Sequence, residues 1–366
     1  MKRVLCITSN MNAGGAETFL MKLYRRLDKT KYQMDFCINV SDKCFYEDEI
    51  LALGGKIYRV PPKSASVSTF KKRLYEIVRE NHYDYVLRVT SSAFGFMDLK
   101  IAHKAGASVC AARSSNSSDG GSLKSKIAHR LGRILYGKYV NVKIAPSDLA
   151  AEYTFGKKAY ENGAVNILRN AIDIERYGFS ADMRSRIRSE FGLPDDITVL
   201  GHVGRFMTQK NHAFLLEVFA EYAKQNGSCV LLLIGKGELE EQIRNKVSEL
   251  GLNGKVIFAG VRSDIPALLS AMDVFVFPSL YEGMPNTVIE AQATGLPCLI
   301  ADTITREADI TGLVEYLPLG DAAVWAKKIS SMPLPTERKT PICRFKEHGY
   351  DIESVTEQFV KLIFRE

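Results

Sequence analysis

Residues 274–297 read "VFVFPSLYEGMPNTVIEAQATGLP": a short run of apolar β-formers, a turn-rich loop, then a helical pattern. Strand, loop and helix in that order are the repeating half of a parallel sheet covered by helices. Glu282 falls in the loop and Glu290 about one turn into the helix. Two explanations compete for the pair. Thr287-x-x-Glu290 fits a capping box, in which hydroxyl and carboxylate satisfy the open N–H groups of a helix start. Alternatively the glutamates flank a ligand site, with the backbone of Gly283, Met284, Pro285 and Asn286 offered between them. A carboxylate beside bound phosphate is repelled unless it accepts hydrogen bonds from neutral hydroxyls, and sugars supply those.

Outward from this stretch the same alternation fills the chain. Seven β-rich runs in the first half ("RVLCITS", "MDFCINV", "KIYRV", "YVLRVT", "SVCAA", "VKIAPS", "VNILRN") are separated by helix-length segments. After a polar stretch between Asn170 and Pro194, six more follow: "TVLGHVGR", "CVLLLIG", "KVIFAG", "VFVFPS", "PCLIAD" and "VEYLPL". The expectation is an α/β protein of two doubly wound domains, residues 1–170 and 171–349, with the polar stretch as the hinge. The terminal segment 350–366 carries Ile352, Val355, Phe359 and Ile363 on one helical stripe and is expected to pack back on the first domain. Ligands of such sheets bind beyond the carboxyl ends of the strands. Two such domains facing each other would make an interdomain cleft.

The bulk numbers suit two cores: 366 residues, 46% hydrophobic and 25% charged. No apolar run approaches the ~20 residues of a membrane-spanning helix. "MKRVLCITSN" enters a strand pattern directly, without the features of a secretory signal, so a cytoplasmic protein is expected. The seven cysteines lack metal-site or redox spacing and read as buried reduced thiols. Net charge is +7, and Lys63–Lys138 alone holds fourteen Lys or Arg against five Asp or Glu.

Gly14 and Gly15 follow the first strand and open a helix, where bare N–H groups favour an anion; a tight turn is the plainer alternative. Neither this loop nor "GKGELE" at 235–240 is a nicotinamide-type G-x-G-x-x-G, which counts against a dinucleotide oxidoreductase. Arg205 and Lys210 lie in the loop after the first strand of the second domain, where two cations suit a diphosphate.

Taken in order, these motifs resemble family 4 of the retaining glycosyltransferases, especially capsular and exopolysaccharide members. They run Gly14-Gly15-Ala16-Glu17, Asn170-Ala171-Ile172-Asp173, Gly204-Arg205 with Lys210, "GKGELEE", "FAGVRSDIPALLSAMDVFVFPS", then Glu282, seven residues, and Glu290. The resemblance implies the GT-B fold. It implies that Arg205 and Lys210 hold the donor diphosphate, that Glu290 accepts from ribose, and that Glu282 contacts the transferred sugar. It further implies that Gly283, Met284, Pro285 and Asn286 bind donor sugar or phosphate, that Val261 and Arg262 border the base, and that Gly14 and Gly15 close over the phosphates. Asn12, Arg113 and Asn116 are assigned to the acceptor side. Similar capsular enzymes often read "HSHN" where this chain has Arg113-Ser114-Ser115-Asn116, so a cleft histidine is missing. His82, His103 and His129 lie elsewhere and read as ordinary surface or helix histidines.

The implied activity is transfer of a hexose or N-acetylhexosamine from a nucleotide-diphosphate sugar, expected to be UDP-linked, to a growing and lipid-linked surface glycan. No Asp-x-Asp triplet is present, so fixed cations and helix ends, with no metal or other cofactor, are expected to stabilise the leaving group. A nucleotide-sugar epimerase of the same architecture and a binding module without catalysis are the alternatives. No nucleic-acid partner is expected. An anionic membrane surface is, from "SLKSKIAHRLGRILYGKYV" at 122–140, which is basic and amphipathic, as is "STFKKRLYEIVRE" at 68–80. The competing reading gives both apolar faces to the domain's own core.

Overall fold

The structure is a computed structural model that describes residues 1–115, 123–334 and 338–366. The chain divides into two compact units, residues 1–171 with 349–366, and residues 172–348.

Unit 1 is built on seven strands: β1 (Lys2–Ile7), β2 (Tyr32–Ile38), β3 (Ile57–Arg59), β4 (Tyr85–Thr90), β5 (Val109–Ser114), β6 (Val142–Ala145) and β7 (Asn166–Ile167). They lie in the order β3-β2-β1-β4-β5-β6-β7, every pairing parallel. Parallel pairing requires a crossover between neighbours, which places helices on both faces and makes the strands apolar on both sides. Accordingly Val4, Leu5, Cys6 and Ile7 are all buried, Val4 and Cys6 in one cluster and Leu5 and Ile7 in the other. The first cluster includes the Gly15–Arg26 helix through Phe19, Leu20 and Leu23. It also takes in the C-terminal helix Ile352–Phe364, whose expected stripe Ile352, Val355, Phe359 and Ile363 is buried there. Asp351 caps that helix by accepting from the Ser354 N–H at 3.1 Å, and Phe364 packs its ring on Tyr32 and Tyr85.

Unit 2 repeats the plan with β8 (Thr198–Val203), β9 (Cys229–Ile234), β10 (Val256–Gly260), β11 (Val274–Phe277), β12 (Cys298–Ala301) and β13 (Val314–Leu317), ordered β10-β9-β8-β11-β12-β13 and parallel throughout. Each of the thirteen β-rich runs in the sequence overlaps one strand. In both sheets the strand order reverses beside the unit's first strand, between β1 and β4 and between β8 and β11. Loops diverge there and leave a crevice for ligands.

The polar stretch expected to be a hinge is more ordered than its composition suggests. A helix spans Ala181–Glu190, capped by Ser180, and belongs to unit 2. Its cations are used for docking: Arg184 and Arg188 each bond Asp273 at 2.7 Å, and Arg188 is almost fully buried. Six cysteines are buried free thiols as expected, whereas Cys343, on the short helix Ile342–Glu347, is exposed.

Candidate functional site

In unit 2 the loops after β8 and β11 emerge side by side at the strand-order reversal. The first runs through a single 3₁₀ turn at Thr208–Lys210 into the His212–Gln225 helix, and the second leads into the Asn286–Ala293 helix. They are tied together: the Leu280 N–H donates to Gln209 O at 2.8 Å, and Gln209 Nε2 donates to Tyr281 O at 2.8 Å. Lys210 Nζ then bonds Glu282 Oε1 at 2.6 Å, both side chains mostly withdrawn from solvent, and the ammonium lies 4.6 Å from the Phe277 ring centroid. The cation expected on a diphosphate and the carboxylate expected on a sugar are thus direct partners. Arg205 is exposed in the same loop and has no ion-pair partner among the described residues. Its positive charge is therefore uncompensated, whereas that of Lys210 is balanced.

Glu290 is buried in the first turns of its helix, but not as a capping residue. The helix begins two residues earlier than a capping box requires: Asn286 is its first residue, Pro285 is the cap, and no side chain caps it. Thr287 is already inside the helix, so the capping-box explanation fails. Gln292 anchors this helix from behind. Its Nε2 donates to Ala308 O at 2.7 Å and its Oε1 accepts from the Ile310 N–H at 2.9 Å. Val261 is exposed at the end of β10, while Arg262 is held by Asp264 and Glu190 in two-pronged pairs of 2.5–3.1 Å. Those hydrogen bonds, to Asp264 first, hold its pKa above the ordinary arginine value. Its guanidinium braces the loop after β10 against the Ala181–Glu190 helix.

Three features of this site lay outside the sequence reading. Gly235 adopts φ +138°, and a Cβ there would collide with Gly204 O, so the loop after β9 closes tightly on the Arg205 loop only because that position is glycine. That approach brings Lys236, exposed, to the same edge. Beneath Lys210 lie two buried histidines, His202 and His212, with ring centroids 4.8 Å apart and Phe206 and Phe277 around them. His202 Nδ1 donates to Val276 O at 2.9 Å. Burial first, then neighbouring positive charge, pushes His202 well below its ordinary value and His212 down to about 4. Both are therefore neutral at physiological pH and add no charge beneath Lys210. "GHV" and "KNHAF" were the available signals, a histidine inside a strand and one at a loop–helix junction.

In unit 1, Gly14 caps the Gly15–Arg26 helix, and a Cβ on it would strike the Glu17 carboxylate, which folds back over the helix start. Thr8 Oγ1 donates to that carboxylate at 3.4 Å. Asn12 is exposed, with its Oδ1 accepting from the Phe45 N–H at 3.0 Å. Arg113, assigned to the acceptor side, is 1% exposed at the end of β5. Its Nη2 donates to Asn170 Oδ1 at 2.5 Å and its guanidinium lies 3.7 Å from the Phe19 ring centroid. Burial draws its pKa down to about 9. It ties β5 to the first helix and to Asn170 from inside the unit. Asn116 lies outside the described residues. Among the described residues no group of three His, Cys, Asp or Glu could hold a metal ion.

Two parallel-sheet Rossmann-like units with this strand order are the architecture of GT-B glycosyltransferases. The fold matches that of HepE from Anabaena, solved with UDP and glucose, at a TM-score of 0.78, with 18% identity and 99% of both chains covered. It matches WaaG, a glycosyltransferase involved in lipopolysaccharide biosynthesis, at 0.73, with 15% identity and 99% of both chains covered. The description "Glycosyl transferases group 1" matches residues 197–332. The chain is 37% identical over 360 residues to EpsF of Bacillus subtilis (strain 168), whose name marks it as a glycosyltransferase, covering 96% of this chain and 94% of that one. A galactosyltransferase of Escherichia coli that acts on GlcNAc-diphosphoundecaprenol is 34% identical over 142 residues, 38% of this chain and 36% of that protein. The chain belongs to the group 1 glycosyltransferases.

Proposed function

We propose that the protein transfers a hexose or N-acetylhexosamine, with retention of configuration and without a metal ion, from a UDP-sugar to a growing, lipid-linked surface glycan. The observation that carries this reading is the Lys210–Glu282 pair beside buried Glu290 and uncompensated Arg205, all at the strand-order reversal of unit 2. Arg205 and Lys210 would receive the diphosphate, and Glu290 would accept from the ribose hydroxyls. Glu282 would hold Lys210 in place and accept from a hydroxyl of the sugar, which resolves the repulsion expected of a carboxylate near phosphate. In the reaction the bond from the sugar's anomeric carbon to the phosphate oxygen breaks and its electron pair leaves on UDP. The acceptor oxygen bonds the same face of that carbon, and its proton passes to a phosphate oxygen of the departing UDP. Fixed cations aimed at the developing charge are the main source of rate enhancement. Two comparisons support the donor and acceptor classes: HepE was solved with UDP-glucose, and the Escherichia coli relative is named for a diphosphoundecaprenol acceptor.

Purified protein incubated with UDP-, GDP- and ADP-sugars and lipid-linked acceptors, with and without EDTA, tests this reading. Release of UDP and an α-linked product from an α-linked donor, undiminished by EDTA, is expected. Glu282→Gln should lower kcat by ~100-fold or more while UDP still binds. Sugar interconversion without transfer would establish the epimerase alternative, and ligand-induced thermal shift without turnover the binding module. Loss of activity in EDTA, restored by magnesium, would overturn metal independence.

A further inference from the structure

The chain leaves β11 on a short lip that turns outward one residue at a time. Ser279 is fully buried, Leu280 is 38% exposed and Tyr281 53%, so a large aromatic ring stands in water directly before Glu282. Exposed rings in loops ordinarily ride on mobile backbone. Here each of the three residues is held from another segment. Thr303 Oγ1 donates to Ser279 O at 3.2 Å, the Leu280 N–H donates to Gln209 O at 2.8 Å, and Tyr281 O accepts from Gln209 Nε2 at 2.8 Å. Gln209 lies beside Lys210 on the 3₁₀ turn, and Lys210 bonds Glu282. The backbone that carries the ring is thus fixed to the two loops that carry the cation and the carboxylate. The ring itself meets no other ring and no cation among the described residues.

A pyranose has two kinds of surface, and this lip offers a partner for each. Its rim carries hydroxyl groups, which donate to a carboxylate such as Glu282. Its face carries C–H groups, whose partial positive charge is drawn to the negative π face of an aromatic ring. A diphosphate has neither surface, and Arg205 and Lys210 serve it instead. A nucleobase also stacks on a ring, but uracil turns carbonyl oxygens out of its edge, and a carboxylate one residue away repels them. A tyrosine on fixed backbone has little freedom left to lose when a ligand covers it, so the contact is pre-organised.

We propose that Tyr281 is a sugar-stacking residue, whose ring covers the C–H face of a pyranose seated beside Glu282. Gln209 acts through the backbone of Leu280 and Tyr281 and is a positioning residue that aims the ring. The proposal rests on the transferase reading and deepens it, because the site then selects a sugar by its face as well as by its hydroxyls. An axial hydroxyl on the stacked face would hold a sugar off the ring. The pyranose has two sources, the transferred sugar of the donor and the terminal sugar of the acceptor, and the test separates them.

The test compares Tyr281→Ala, Tyr281→Leu, Tyr281→Phe and Tyr281→Trp in the full chain. Calorimetry uses UDP, UDP-glucose and UDP-N-acetylglucosamine, and steady-state kinetics use the donor and lipid-linked acceptor that the wild type turns over. Tyr281→Ala and Tyr281→Leu should raise one KM about tenfold, the usual scale for truncating a contact ring, while Tyr281→Phe and Tyr281→Trp stay within about twofold of wild type. All four should keep the wild-type melting temperature and UDP affinity. A raised donor KM, with UDP-sugar binding weakened and UDP binding unaltered, assigns the ring to the transferred sugar. A raised acceptor KM with donor binding unaltered assigns it to the acceptor. Gln209→Ala should raise the same KM by less, and should add nothing further in the Tyr281→Ala background, because the two residues act as a unit. Lost UDP affinity in Tyr281→Ala would put a nucleobase on the ring, and a wild-type KM in Tyr281→Leu would show that stacking is not needed; either overturns the proposal. Sugar transfer that Tyr281→Ala leaves unchanged overturns it alone, whereas a wild type that transfers no sugar overturns the transferase reading as well.

Discussion

Two helices of unit 1, Val67–Glu80 and Leu123–Tyr136, have the same length, a similar basic character and the same kind of apolar stripe, yet they face opposite ways. In the first, Phe70, Leu74, Ile77 and Val78 are buried in one cluster with β-sheet residues such as Leu5 and Val86, while Lys71, Lys72 and Arg73 point to water. In the second, Ile127, Leu131, Ile134 and Leu135 are exposed, while Gly132 packs on the Ala93–Phe94 backbone and His129 is buried. Amphipathic spacing identifies a stripe but does not say what will cover it. The deciding feature is the other face: where it carries Gly132 and His129, backbone can approach backbone and the helix docks by its slender side. The basic character of the Val67–Glu80 segment therefore lends no support to membrane docking, because its apolar face is spent on the core.

The largest effect that sharpens this contrast is expected at Leu74. Leu74→Ala should cost about 2–5 kcal/mol by urea unfolding, since it removes a fully buried side chain and leaves a cavity. A change within about 0.5 kcal/mol, the ordinary scatter of surface substitutions, would mean the helix does not cover the core. An intermediate effect belongs to Gly132→Ala. Helix propensity favours alanine by about 1 kcal/mol, but the new Cβ meets backbone rather than a movable side chain, and overpacking costs about 1–3 kcal/mol. Net destabilisation is expected, and a stabilised variant would show that the helix stands off from Ala93–Phe94. The smallest effect should come from Leu131→Ala and Ile134→Ala, each within about 0.5 kcal/mol, because neither side chain is in the core. A loss of several kcal/mol at either would break the comparison by showing that the stripe is covered within the protein.

Much of the candidate site in unit 2 was legible because it is local. Arg205 and Glu282 follow β8 and β11 within a few residues, and Lys210 and Glu290 lie further along the same two strand–loop–helix segments, so recognising the strands places them at the sheet's carboxyl edge. The partnerships were not legible. Lys210 and Glu282 are 72 residues apart, and nothing in either loop announces the other. Arg262 reads as a loop cation beside a ligand, yet two carboxylates, one of them Glu190 from a stretch taken for a hinge, occupy its guanidinium. Arg113 reads as an acceptor-side residue standing where similar enzymes have a histidine, and the ring of Phe19 and the amide of Asn170 make room for it inside the unit.

By itself the sequence determined the periodic and the local: two α/β units, their strands, the loops that carry the cations and glutamates, and the buried stripe of the C-terminal helix. These follow from side-chain spacing, which repeats within one element and needs no knowledge of its neighbours. Only the tertiary structure decided which charges neutralise each other, which arginines are buried, that Glu290 is no helix cap, and that one of two similar basic helices turns its aliphatic face outward. Those outcomes depend on contacts between segments far apart in the chain, where a single glycine or a single carboxylate on a neighbouring element sets the direction in which a side chain points.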